Sequence, residues 1–187
     1  MKNYGELTII IGSMFASKTS TLQKIINDAK NKGNEALCFT LDTRFDDGFL
    51  TNHDGKQISA FTISSSKDIL KHMNDYNNVQ LVAIDEGQFF DEGIRDVCFT
   101  LNKKGIDVVV AGLDQDYKKQ PFMNIINLML DAENIIKLDA VCNCGKKAIR
   151  NFRKIKDTSR MLQGSNETYS AMCKFCFSYK IGDDYNV

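Results

Sequence analysis

A short segment between an apolar run and an amphipathic pattern carries residues suited to phosphate binding. It reads Gly12-Ser13-Met14-Phe15-Ala16-Ser17-Lys18-Thr19. Backbone N–H groups in such a loop can wrap a phosphate at a helix N-terminus. The Lys18 ammonium would then lie near the β- and γ-phosphates of a nucleotide, and the Thr19 hydroxyl would hold Mg²⁺. The usual pattern has Gly where this chain has Ser17, so a small-residue turn that only starts a helix is the competing interpretation.

A pair of carboxylates, Asp85 and Glu86, follows the apolar run at residues 79–84. At the end of a buried strand beside the phosphate loop, Asp85 could hold a Mg²⁺-bound water and Glu86 could accept a proton. Acidic pairs at strand ends also occur in solvated turns and helix N-caps. The presence of Lys18 and Thr19 in the same sequence is what favours a catalytic or metal-binding role for this pair.

Four of the six cysteines form two close pairs in the last quarter of the chain: Cys142, Cys144, Cys173 and Cys176. Two close thiolate pairs are a common way to build a tetrahedral Zn²⁺ site, and four protein ligands would close the shell and make the site structural. Free thiols or a redox pair are the alternatives. Cys38 and Cys98 stand alone inside apolar patterns, which predicts inert core thiols.

The spacing of apolar residues predicts strands and helices that alternate along the chain. Predicted strands cover residues 7–11, 35–40, 79–84, 107–111 and 135–141, with helical patterns around residues 22–29, 69–73, 94–101 and 125–130. Gly33 and Gly105 are placed to stop two of the helices. The sole proline, Pro121, fits an early turn of the last one. The polar stretch at residues 42–56 predicts a long loop or ribbon.

This alternation predicts an α/β fold, a doubly wound and mainly parallel sheet of the P-loop type with ligands at the carboxyl ends of its strands. Apolar periodicity fades after residue 141, and Cys, Lys and Arg take over. We therefore expect an ATP-binding domain at residues 1–141 and a small C-terminal zinc-binding domain at residues 142–187.

Composition and charge narrow the possible partners. The 187 residues include 24 Lys+Arg and 24 Asp+Glu, a formal net charge of +0. This balance argues against a dedicated nucleic-acid or membrane-surface binder, including a zinc-ribbon nucleic-acid binder, because such proteins need a basic excess. No apolar stretch is long enough to span a membrane, and the N-terminus lacks a leader pattern, so we expect a cytoplasmic protein.

Several ordered motifs together are similar to those of a known family. Besides the phosphate loop, these are Asp42-Thr43-Arg44-Phe45 with Thr51-Asn52-His53-Asp54-Gly55, Asp85-Glu86-Gly87-Gln88-Phe89-Phe90, Gly112-Leu113-Asp114-Gln115-Asp116-Tyr117 followed by Pro121-Phe122, and Gly164-Ser165-Asn166-Glu167-Thr168-Tyr169. From about residue 7 to about residue 179, the sequence resembles the cytosolic type II thymidine kinases. The resemblance implies ATP-dependent phosphorylation of the 5′-hydroxyl of thymidine, with deoxyuridine as a second candidate acceptor. It also implies two metals, Mg²⁺ for the reaction and a structural Zn²⁺.

The resemblance also implies roles for individual residues. Glu86 would be the general base, and Lys18 and Arg44 would steady phosphate charge. A nucleoside pocket would be lined by Met14, Phe89, Leu113, Tyr117, Phe122, Asn151 and Tyr169. Asn151 stands where the family commonly has Thr against the thymine methyl, and residues 146–168 would correspond to a loop that covers the substrate. The family further suggests a homotetramer with feedback inhibition by the triphosphate end product.

Two questions stay open at the level of sequence. Ser17, Asn151 and the Cys142-x-Cys144 spacing depart from the family pattern, so a catalytically weak relative that acts as a nucleotide-binding regulatory module is the alternative function. Basic residues in the covering segment predict a solvated face, with local phosphate or nucleic-acid contact as the alternative; they are Lys146, Lys147, Arg150, Arg153, Lys154 and Lys156.

Overall fold

The computed structural model describes residues 3–42, 48–52, 55–160, 162 and 167–184. In this part of the chain the strands are β1 (Leu7–Gly12), β2 (Glu35–Thr40), β3 (Phe49–Thr51), β4 (Gln57–Ser59), β5 (Phe61–Thr62), β6 (Val79–Ile84), β7 (Asp107–Gly112), β8 (Asn134–Leu138), β9 (Ala140–Val141), β10 (Lys147–Ala148), β11 (Arg150–Arg153) and β12 (Tyr169–Met172). The α-helices are α1 (Lys18–Asn31), α2 (Ser66–His72), α3 (Ile94–Lys103), α4 (Met123–Asp131) and α5 (Lys174–Asp184).

Six strands form one sheet in the order β5-β2-β6-β7-β1-β8, and each neighbouring pair is parallel. The central strands are buried runs of Val, Ile and Ala because helices cover the sheet on both faces. Ile9 and Val110 pack with α2, α3 and α4 on one face, whereas Ile10 and Val109 pack with α1 on the other. The α/β fold predicted from the sequence is confirmed.

This topology places three loops at one edge of the sheet. The strands β6, β7 and β1 are neighbours and run in the same direction, so their carboxyl ends share that edge. The loop after β1 holds the phosphate-loop motif, the loop after β6 holds Asp85 and Glu86, and the loop after β7 begins at Leu113. In parallel α/β sheets this edge is where ligands bind.

The chain leaves the sheet after β8 and forms a small C-terminal unit. β9 pairs with β10 and β11 pairs with β12, both antiparallel, and α5 follows. The predicted single strand at residues 135–141 is wrong in this respect. It is divided at Asp139, with β8 in the parallel sheet and β9 in the hairpin. A continuous apolar pattern contains no signal for this change of partner.

Two further expectations concern loops. Within the polar stretch at residues 42–56, β3 forms a ribbon with β4, which begins directly after the stretch. The buried Gln23 amide of α1 donates to the carbonyls of Leu50 and Lys56. Pro121 does not lie in the first turn of α4, which begins at Met123; it forms an isolated bridge with Gln115 instead.

Among the described helices, none combines the length and the apolar character needed to cross a bilayer.

Candidate active site

The phosphate-loop segment connects β1 to α1 through a strained backbone. Phe15 and Ser17 adopt left-handed conformations with φ of 65° and 59°. Such a conformation is costly for residues that carry a Cβ, as the missing Gly at position 17 suggested. The Lys18 ammonium donates to the Ser13 carbonyl at 3.0 Å and is thus turned back over the loop.

The C-terminal unit supports this loop from one side. The Ser13 hydroxyl donates to the Ala148 carbonyl at 2.9 Å, and the Met14 N–H donates to Asn151 Oδ1 at 2.8 Å. Ala16 is buried in a small cluster with residues of β9, β10 and β12. The loop therefore rests on the C-terminal unit, and its conformation depends on that contact.

Gly12 is required where β1 meets β8. A Cβ at this position would lie 2.4 Å from the Leu138 carbonyl oxygen and 3.1 Å from the Ala16 Cβ. The first distance is shorter than any real Cβ contact, so a larger residue would displace either the edge strand or the phosphate loop.

The two carboxylates after β6 face the phosphate loop. Asp85 is buried, and its Oδ2 accepts a hydrogen bond from the Thr19 hydroxyl at 2.9 Å. Burial, together with the nearby Glu86 charge, raises the pKa of Asp85 to about 7. Burial also lowers the pKa of Lys18. A buried carboxylate beside a second carboxylate and a hydroxyl is a donor set that suits a divalent cation.

Glu86 is held by Gln88, a residue for which the sequence analysis predicts no role. The Gln88 amide donates to Glu86 Oε2 and accepts the Leu113 N–H at 3.0 Å, and Gln88 is only 1% exposed. Glu86 itself has a φ of 54°, so its left-handed backbone needs such support. Gln88 was visible in the Asp-Glu-Gly-Gln-Phe-Phe motif, but its function as a link between two loops depends on tertiary contact.

One cavity of about 350 Å³ unites the predicted residues. Its lining includes all seven predicted nucleoside contacts: Met14, Phe89, Leu113, Tyr117, Phe122, Asn151 and Tyr169. It also includes residues 14–19 of the phosphate loop together with Asp85 and Glu86. Gly12 and Ser13 belong to the loop but do not line the cavity, and Arg44 lies outside the described residues. The charged groups that could bind phosphate and the apolar ring of side chains that could bind a base thus line the same cavity.

Arg153 makes several contacts within the segment at residues 146–168, of which Asn151, Arg160 and Leu162 line the cavity. Its guanidinium lies 3.8 Å from the Tyr117 ring centroid and donates to the Tyr169 hydroxyl from Nε at 3.0 Å. It also donates to the main-chain carbonyls of Asp157 and Ser159 in the covering segment. The prediction of a solvated face is wrong for Arg153, which is only 7% exposed, whereas Lys146, Lys147, Lys154 and Lys156 are exposed.

A second arginine of this segment, Arg160, lines the cavity and contacts the loop after β7. Arg160 Nε donates to the buried Asp116 carboxylate at 3.1 Å, and the guanidinium lies 5.2 Å from the Phe122 ring centroid. The sequence pattern did not reveal this pair, because the two residues are 44 positions apart.

The four clustered cysteines form a site with the dimensions of a zinc centre. Their Sγ atoms all lie within 4.8 Å of one another, and those of Cys144 and Cys173 are 3.6 Å apart. Two sulfurs on a tetrahedral Zn²⁺ with bonds of about 2.3 Å would be about 3.8 Å apart. Backbone N–H groups near Cys142 lower the pKa of its thiol to about 6, whereas hydrogen bonds with the other three thiols raise the pKa of Cys176 to about 12.

The two remaining cysteines behave as core residues. Cys38 and Cys98 are both buried in the apolar layers of the sheet and its helices. Burial raises the pKa of both thiols, that of Cys98 to about 12. This environment agrees with the prediction of unreactive core thiols.

Comparison with known proteins assigns the family. The family model "TK: Thymidine kinase" matches residues 5–177. The chain belongs to the thymidine kinase family. A thymidine kinase of Bacteroides fragilis (strain YCH46) is 35% identical over 183 residues, which cover 96% of this chain and 90% of that protein. A thymidine kinase of Porphyromonas gingivalis (strain ATCC 33277) is 35% identical over 176 residues, which cover 92% of this chain and 85% of that protein.

Similarity to solved structures is weaker. AMPPCP-bound DnaA from Aquifex aeolicus superimposes with a TM-score of 0.42 at 17% identity, covering 74% of this chain and 41% of DnaA. This likeness carries no functional argument. Membership in the thymidine kinase family rests on the sequence matches, and it confirms the resemblance drawn from the motifs.

Proposed function

We propose that the protein transfers the γ-phosphoryl group of ATP to the 5′-hydroxyl of thymidine. The observation that carries this proposal is the shared cavity. Lys18, Thr19 and the Asp85–Glu86 pair line the cavity together with the apolar ring that includes Leu113 and Phe122. A nucleoside with its base in the apolar ring would direct its sugar toward the carboxylates, and ATP would approach over the phosphate loop.

Glu86 is proposed as the general base. Its carboxylate lines the cavity and is oriented by the Gln88 amide. It would remove the proton of the 5′-hydroxyl as the oxygen attacks the γ-phosphorus, while the bond to the β,γ-bridging oxygen breaks and ADP leaves. Lys18 would leave the Ser13 carbonyl to neutralise charge on the transferred phosphoryl group. Arg44 is proposed for the same task from the family resemblance.

The donor atoms fit the metals that the family resemblance implies. Thr19 Oγ1 and Asp85 Oδ2 are 2.9 Å apart, close to the separation of about 3 Å between neighbouring oxygens around Mg²⁺. Mg²⁺ held there would neutralise phosphate charge. The four thiols of the C-terminal unit fit a structural Zn²⁺, since a complete shell of sulfur ligands leaves no catalytic position open.

The test is transfer of labelled γ-phosphate from ATP with Mg²⁺ to thymidine, deoxyuridine and deoxycytidine in parallel, with the Lys18→Ala protein as the blank. We expect label on thymidine, and label on deoxyuridine would extend the acceptor range. Glu86→Gln should abolish transfer and preserve thymidine binding in calorimetry. No transfer above the blank from folded, zinc-replete protein would reject the proposal and favour a nucleotide-binding regulatory module.

The quaternary structure is proposed on the family resemblance alone. We propose a homotetramer, and sedimentation equilibrium would distinguish it from a monomer or a dimer.

A further inference from the structure

We infer that Asn151 is a positioning residue that joins the phosphate loop to the loop after β7. It lies in β11, opposite Ala171 of β12, and is only 2% exposed. The inference rests on the proposed function for the identity of the two ligands. It differs from the role implied by the family resemblance, in which the residue at this position contacts the thymine base.

Both ends of the Asn151 amide are occupied by main chain. Its Oδ1 accepts the Met14 N–H at 2.8 Å, and its Nδ2 donates to the Gln115 carbonyl at 2.8 Å. Both distances are those of well-formed hydrogen bonds. Met14 belongs to the phosphate loop, and Gln115 belongs to the loop after β7. One buried side chain therefore bonds to two loops, and both loops contribute residues to the cavity lining.

On the phosphate side, this contact stabilises a strained backbone. Met14 directly precedes Phe15, the first of two left-handed residues, and each such residue costs about 1–2 kcal/mol of conformational energy. Because the Met14 N–H is already bonded to Asn151, it is not free to bind a phosphate. The contact instead fixes the position of Met14, beside the strained Phe15, before nucleotide binds.

The loop after β7 makes two further contacts with the start of β11 and the residue before it. The Gln115 side chain donates to the Ile149 carbonyl at 3.1 Å and accepts from the Arg150 guanidinium. Leu113 and Tyr117, on either side of Gln115, line the cavity. Displacement of the Gln115 carbonyl would thus move two side chains of the apolar ring.

Threonine, the common family residue at this position, has a side chain too short to make both hydrogen bonds of the Asn151 amide. Its hydroxyl oxygen is attached to Cβ, one bond nearer the main chain than the amide atoms of Asn. A single oxygen would have to accept from Met14 and donate to Gln115, whereas the amide uses two atoms. The Asn151→Thr variant is therefore the informative change.

The experiment compares Asn151→Thr with Asn102→Thr. Asn102 is also buried (5% exposed), and its amide donates to the Ile106 carbonyl at 3.0 Å at the end of α3, outside the cavity lining. It therefore controls for the general loss of a buried main-chain hydrogen bond. Affinities for ADP with Mg²⁺ and for thymidine would be measured by calorimetry, and stability by thermal unfolding.

We expect Asn151→Thr to weaken ADP binding by about five- to tenfold, because the phosphate loop would then have to be ordered when ADP binds, at a cost comparable to one net hydrogen bond. Asn102→Thr should lower the melting temperature while leaving ADP affinity within about twofold. If Asn151→Thr changes only the thymidine affinity or the preference for thymidine over deoxyuridine, Asn151 is a base contact and the inference is wrong. Unchanged affinities for both ligands would overturn it as well.

A measurement on the unaltered protein covers the case in which Asn151→Thr does not fold. Amide hydrogen exchange of Met14 in the ligand-free, zinc-replete protein should be slow, because its N–H is bonded to a buried oxygen. Rapid exchange at Met14 would refute the contact. This readout needs neither ligand nor turnover, so it separates a failure of the Asn151 inference from a failure of the proposed kinase activity.

Discussion

Replacement of Ser17 by Gly should stabilise the protein, because Ser17 has a left-handed backbone and its side chain makes no capping hydrogen bond to α1 that would compensate for the strain. Its φ is 59° and its ψ is 30°. Relief of left-handed strain should contribute about 1–2 kcal/mol, and the extra freedom of Gly in the unfolded chain should cost about 0.4–1 kcal/mol. The net gain in free energy of unfolding is then about 0.8 kcal/mol from the middle of these two ranges, with bounds of about 0 and 1.6 kcal/mol.

For a chain of 187 residues, this gain corresponds to a rise in melting temperature of about 1–4 °C. Thermal unfolding of ligand-free, zinc-replete protein would measure it, and labelled phosphate transfer should be equal or higher. Ser17→Ala is the matched control, since it removes the hydroxyl but retains the Cβ, and its melting temperature should stay within about 1 °C of the parent. A lower melting temperature for Ser17→Gly, or equal shifts in both variants, would refute the account of strain.

Three further changes test other parts of the site. Gln88→Leu removes the amide between Glu86 and Leu113, so kcat should fall by about tenfold or more; an unchanged kcat would show that Glu86 needs no such support. Arg153→Met removes the guanidinium between the covering segment and the Tyr169 hydroxyl, so thymidine affinity should fall by about tenfold or more while ADP affinity stays within about twofold; equal losses for both ligands would contradict this. Cys144→Ser should reduce bound zinc in metal analysis and lower the melting temperature, and an unchanged zinc content would exclude Cys144 as a ligand.

The parallel sheet and the edge of the sheet at which ligands bind could be predicted, because both depend on local sequence patterns. Two predicted strands have the observed bounds, Glu35–Thr40 and Val79–Ile84. Both are short apolar runs with polar residues or glycine beside them, as expected for strands buried on both faces. The phosphate loop, the carboxylate pair and the cysteine pairs were visible for the same reason, since each is defined by neighbouring residues.

The parts that escaped prediction depend on contacts between distant residues. The buried Arg153 lies in a basic stretch, and only its approach to Tyr117 and Tyr169 explains why it is not solvated. The pairing of Arg160 with Asp116 is of the same kind. Charge patterns along a sequence show how many cations a segment has, but they do not show which of them has an aromatic or acidic partner in the fold.

The residues with strained backbone in the site lie next to two buried side-chain amides that contact their loops. Four non-glycine residues with positive φ are found in the described part of the chain, and Phe15, Ser17 and Glu86 among them line the cavity. Such conformations persist only where surrounding contacts determine them. The buried amides of Asn151 and Gln88 supply those contacts, each linking two loops.

A neutral amide suits this purpose better than a charged group. It donates and accepts at once, so it can bridge an N–H and a carbonyl, or a carboxylate and an N–H. A carboxylate in either place could not donate, and its charge would oppose Glu86 or an arriving phosphate. An ammonium or guanidinium could not accept the Met14 or Leu113 N–H. Asn151 and Gln88 thus hold the loops in position and add no charge beside Lys18, Asp85 and Glu86.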